Sequence, residues 1–162
     1  MKKAEQLIKE AIDIIGSATP LNFNCGTLCN RACCEIEGYM MVFPGEKKLI
    51  SNQKYTFGSI DLVSYGKIEI VTCDGTCNRE YRPFSCRVYP LAPKFINDEL
   101  FVRLDVRGRP LCPLCHKSMS SLNKDFVDKV KKAFIHLKKD DELLRFLKAV
   151  SYHVDMFAVP FI

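Results

Sequence analysis

The chain has 162 residues, 48% of them hydrophobic and 27% charged, with a formal net charge of +5. That length suits one domain able to bury its own core, and the balance excludes a low-complexity or disordered chain. No run approaches the roughly 20 apolar residues that span a bilayer, so a membrane-spanning helix is excluded too.

Residues 2–15 carry Ala4, Leu7, Ile8, Ala11, Ile12 and Ile15 at helical spacing, with Gly16 as the stop. Glu5, Gln6, Lys9, Glu10 and Asp13 interrupt the apolar positions. This is therefore no signal peptide, and a cytoplasmic protein is the expectation. A first group of cysteines follows in a predicted loop. GYMMVF (38–43) reads as a short strand. PGEKK (44–48) is too short for a phosphate loop and reads as a turn followed by a solvated helix face. GKIEIV (67–72) alternates polar and apolar residues and is a predicted strand. Residues 73–93 hold Gly75, Pro83, Pro90 and Pro93 and read as loop-rich. ELFVRLDV (99–106) is another strand. Beyond it, Leu122, Phe126, Val130, Phe134 and Leu137 line one helix face. A second helix starts near Asp140 or Asp141 and turns Leu143, Leu147, Val150 and Val154 inward. These stripes are core rather than a cofactor site.

The expected fold is α+β: one small domain over 1–162, with amphipathic helices at both ends around a loop-rich cysteine core and a few short strands. The cysteine core spans 23–116 and the C-terminal helical part 118–156.

All nine cysteines fall in that core, in three groups. They are Cys25-x3-Cys29-x3-Cys33-Cys34, Cys73-x3-Cys77-x8-Cys86, and Cys112-x2-Cys115-His116. A reducing compartment disfavours structural disulfides, and an odd count prevents complete internal pairing. A redox dithiol is a weak match, because no C-x-x-C lies in a βαβ pattern. Short spacings let thiolates share an ion, and thiolates suit zinc and iron–sulfur clusters alike. Cys33 and Cys34 are adjacent, so they can serve two nearby ions, or one of them can bridge. Eight thiolates on two zinc ions, or two oxidised cubic clusters, would bring the net charge from +5 to +1. Arg31, Arg79, Arg82 and Arg87 stand beside the cysteines as compensation.

The strings FNC-x3-C-x3-CC and C-x3-C-x4-RP-x2-CR-x-YP resemble the CxxCxxCC (YkgJ-like) cysteine-cluster family, described as zinc- or iron-chelating domains. The likeness covers residues 23–93, from Phe23 through Tyr89-Pro90. It implies a ligand set of Cys25, Cys29, Cys33, Cys34, Cys73, Cys77 and Cys86, with Cys112 as a further family-type ligand. Cys115 and His116 rank below these eight. Zinc is the first cofactor expected, with iron or a [4Fe-4S] cluster as the alternative. Arg82, Arg87 and Tyr89 would support the thiolates from behind.

The resemblance implies metal binding and no particular reaction. One related class, the flagellin lysine methylases, carries a similar cluster, which keeps an iron–sulfur enzyme in view. No Gly-rich fingerprint opening a helix is visible, and no Ser/His/Asp set or paired carboxylates suggest a hydrolase. A zinc-dependent nucleic-acid module is a third reading. Its basic segments, KVKK (129–132) and HLKK (136–139), equally suit a solvated helix face. His136 and His153, on the helices, read as surface or core residues.

Overall fold

The computed structural model of the protein describes residues 3–25, 38–50, 54–73, 75 and 79–158. The elements in chain order are α1 (Lys3–Ile15), β1 (Met40–Met41), α2 (Lys47–Ile50), β2 (Thr56–Leu62) and β3 (Gly66–Thr72). There follow α3 (Phe84–Val88), β4 (Leu91–Ile96), β5 (Glu99–Leu104), α4 (Lys124–Leu137) and α5 (Asp141–Ala158). Short 3₁₀ turns lie at Arg79–Tyr81, Val106–Gly108, Pro113–His116 and Met119–Ser121. The fold is α+β, as expected. Among the described residues, no helix is long and apolar enough to cross a membrane.

The three long helices follow their apolar spacing. Leu7, Ile8, Ala11 and Ile15 form the buried stripe of α1. Gly16, at φ +55°, takes the left-handed position that ends it. Asn123 caps α4 by accepting from the Asp125 N–H at 3.1 Å. Asp140 does the same for α5, accepting from the N–H groups of Glu142 and Leu143 at 3.0 and 3.1 Å. Helix α1 packs on α4, and α5 lies against β4.

The strands form two antiparallel sheets, β1-β3-β2 and β4-β5. In the first, Met41 faces Ile70 and Ile60 faces Ile68. In the second, Asn97 and Asp98 make the two-residue turn with positive φ at both positions, a conformation that Asn and Asp tolerate better than most residues. Three elements depart from the sequence reading. Helix α3 lies in the segment 73–93 read as loop, strand β4 begins in it and runs on to Ile96, and β2 lies where no element was expected. Pro93 fits β4 because a two-stranded sheet leaves each strand a free edge. Phe95, two residues on and thus on the same edge, donates its N–H to Ser151 Oγ of α5 at 3.0 Å. Asp155 fastens this hairpin to α5, accepting from Lys94 Nζ and Arg103 Nη1, each at 2.6 Å.

One core cluster draws on α1, β1, β2, β3, α3, β4, β5, α4, α5 and the turn at Pro113–His116. At its centre Phe43 stacks against Phe84 and Phe146, with ring centroids 4.9 and 4.7 Å away, and Phe84 meets Phe134 at 6.0 Å. The PGEKK segment is only partly the solvated face expected. Lys47 and Lys48 are exposed, but Glu46 is fully buried. Its Oε2 accepts from the Phe43 N–H at 2.9 Å, and its Oε1 accepts from the Phe84 N–H. A carboxyl group thus joins the end of β1 to the first turn of α3.

Candidate metal centre

Helix α3 begins where Pro83, at φ −54°, leads into Phe84, which the core holds at zero exposure. The Cys86 N–H bonds to Pro83 O at 3.0 Å, fixing Cys86 in the first turn. Cys73 follows directly on β3, and Cys25 follows the Pro20 bend after α1. These three thiols, from three separate stretches of sequence, line one cavity of about 430 Å³. Its wall also includes Arg82, Arg87, Tyr89, Asp105, Arg107 and His153.

Arg87 donates Nε to Arg82 O at 2.9 Å and Nη2 to Glu80 O at 2.7 Å. It therefore braces the loop before α3 through backbone carbonyls while bordering the cavity. Arg107 grips Asp105 with Nε and Nη2, the closest contact being 2.6 Å. Asp105 and Arg107 were not singled out in the sequence, and His153 was read as an ordinary helix residue. Tertiary packing carries all three to the cavity wall. His153 sits below the usual imidazole range, chiefly through burial and then through the Arg107 charge. His136, by contrast, is not on the cavity wall and meets Glu10 Oε2 at 2.6 Å, joining α4 to α1.

Cys112 and Cys115 are buried but do not line the cavity. They face each other across the turn at Pro113–His116. The Cys112 sulfur is held below the usual thiol range, first by the Cys115 thiol and then by the N–H groups of Leu114 and Cys115. The same pairing, followed by burial, pushes Cys115 up. The Tyr89 hydroxyl lies 3.9 Å from Cys115 Sγ. His116 is exposed, and its Nε2 lies 2.7 Å from Arg109 O.

Cys29, Cys33, Cys34, Cys77 and Arg31 lie outside the described residues, as does the Arg79 side chain. Among the described residues, no three Cys, His, Asp or Glu side chains group closely enough to hold one ion. Cys25, Cys73 and Cys86 thus share a cavity without forming a closed three-donor cluster. Their chemistry nevertheless suits a soft metal: three thiols, arginines at the rim and a common space.

Gly108 separates the two thiol regions. A Cβ there would strike the Tyr89 hydroxyl and would lie 2.7 Å from Cys115 Sγ. Overpacking of this kind costs about 1–3 kcal/mol. Gly108→Ala is expected to lower the urea midpoint accordingly and to raise the rate at which Cys115 is alkylated in the native protein. An unchanged midpoint and rate would mean that Tyr89 yields without cost.

The chain matches no protein-family model, no curated protein and no solved structure.

Proposed function

We propose that the protein binds a soft metal through clustered thiolates at this cavity, with zinc first and iron or a [4Fe-4S] cluster as the alternative. The supporting observation is the convergence of Cys25, Cys73 and Cys86 on one space from separate parts of the chain. The donor set is these three with Cys29, Cys33, Cys34 and Cys77, their neighbours in sequence. Cys112, the eighth thiolate of the expected set, does not line this cavity and is not counted among its donors here. Bound metal would supply the positive charge that lets several thiolates lie close together. Arg87, next to Cys86 on α3, would hold the loop that leads into that helix. The likeness to the CxxCxxCC family points the same way.

An iron–sulfur enzyme, as in the lysine methylase likeness, is the second reading. A cavity of about 430 Å³ favours it. That is far more room than one ion needs and falls within the roughly 300–1,000 Å³ of ligand pockets. The nucleic-acid reading draws less support. Lys124 and Lys129 of α4 pair with Asp128 and Asp125 on the same helix, at 2.7 and 2.9 Å.

Metal analysis with a visible spectrum on anaerobically purified protein tests these readings together. Stoichiometric zinc in a colourless preparation supports the first, and a brown preparation with iron and sulfide supports the second. Protein folded and free of both metals would sink the proposal.

A further inference from the structure

We propose that Cys112 and Cys115 form a second thiol site, a dithiol–disulfide pair that exchanges with low-molecular-weight disulfides independently of the cavity thiols. The turn that carries them places both sulfurs on one face. Cys112 occupies the N-cap, Pro113 opens the turn, and the Cys115 N–H bonds to Cys112 O at 3.1 Å. Residues three apart in a 3₁₀ turn lie one above the other, and Cys112 at the N-cap and Cys115 stand three apart in this one.

The surroundings also suit the pair. Gly108 clears the space beside Cys115 Sγ, and the Tyr89 hydroxyl, itself part of the cavity wall, lies 3.9 Å from that sulfur. Both thiols are free. Both are buried, Cys112 at 7% exposure and Cys115 at 4%, so a small disulfide reaches them only as the turn opens.

The exchange balances with a small disulfide as oxidant. The Cys112 thiolate attacks one sulfur of the disulfide, forming a mixed disulfide and expelling one thiolate. Cys115 gives its proton to that thiolate and attacks Cys112 Sγ. The second small thiolate leaves and takes a proton from water. The protein loses two electrons, and one disulfide becomes two thiols.

The test uses reduced, metal-replete full-length protein incubated with oxidised glutathione, followed by alkylation and peptide mapping. The expected product is an internal Cys112–Cys115 link without retained glutathione, reversed by dithiothreitol, with metal content unchanged. Cys115→Ser should convert it into a stable glutathione adduct on Cys112, and Cys25→Ser should leave the link intact. The proposal is overturned if Cys112 stays reduced under excess oxidised glutathione. It is equally overturned if metal loading blocks the link, or if Cys115→Ser lowers the metal bound per chain, since the pair would then be metal ligands. Metal absent from the cavity would sink the function proposed above while leaving this one standing.

Discussion

Replacing Glu46 with glutamine is expected to flatten the dependence of folding stability on pH between about 4.5 and 7. Glu46 is wholly buried, and that burial pushes its carboxyl from the ordinary 4.5 up to about 7. Two N–H donors, from Phe84 and Phe43, and the Arg87 charge pull the other way without overcoming it. The folded chain therefore holds a proton in this window that the unfolded chain has released. The stability linked to that proton is complete below the unfolded pKa, near 4.5. It is lost as pH rises through the folded pKa, near 7. Each pKa unit corresponds to about 1.4 kcal/mol, so the loss is on the order of 3 kcal/mol.

Glutamine removes the titration but brings an amide NH₂ against one of two backbone donors that each need an acceptor. An unmatched buried donor costs about 1–3 kcal/mol. The variant should therefore be clearly less stable than the wild type near pH 5, with the gap closing or reversing by pH 8. Urea unfolding of both metal-replete proteins across this range reads the difference directly. Any pH dependence of the proposed metal binding would be common to both proteins and cancel in the comparison. Parallel profiles would show that the carboxyl ionises freely in the fold.

The position of Glu46 also shows where the sequence stops being legible. Its neighbours are Pro44, Gly45, Lys47 and Lys48, all residues of turns and surfaces, and nothing local reveals that the side chain turns inward. The long helices were plain because an apolar stripe repeated over three or more turns has one solution. Residues 2–15 were expected for the first, and Lys3–Ile15 form it. Helix α3 has five residues and is built from tertiary support, the Phe84 ring in the core and the Glu46 carboxylate on its first turn. A propensity reading sees only the prolines around it. Strand β4 was hidden by Pro93 for the same reason.

At the site, thiol clustering drew attention to Cys25, Cys73 and Cys86, and spacing said nothing of their joint cavity. Asp105, Arg107 and His153 had no local signal at all, since each reaches the wall through contacts between elements distant in sequence. The C-x-x-C spacing at Cys112 was visible and read as weak. What adds to it is the turn geometry with Gly108 and Tyr89, which only the fold supplies.

Removing metal from the protein is expected to lower its melting temperature by about 10 °C while leaving most of the helical signal in place. The size follows from linkage. A ligand present at about 1,000 times its dissociation constant stabilises the folded state by about 4 kcal/mol. For a chain of this size, one kcal/mol shifts the midpoint by about 2–4 °C. Retention of helix follows from the core. The buried faces of α1, α4 and α5 pack with Phe43, Phe84 and the strands in one cluster, with Cys25 of the cavity thiols packed only at its margin. The core contacts of β1, β3 and α3 confine the expected loosening to the stretches beside Cys25 and Cys73. Cys86→Ser should reproduce much of the loss, because Cys86 stands on α3 and joins that helix to the site. Cys115→Ser should keep the metal content, since its sulfur faces Cys112. Calorimetric melts of metal-replete, chelated and Cys86→Ser protein, with metal content measured on each, make the comparison. If chelated protein melts within about 2 °C of the replete form, about one kcal/mol at most by the same conversion, the metal is not what holds this part of the fold. If Cys86→Ser keeps a full complement of metal, this cavity is not where the metal binds.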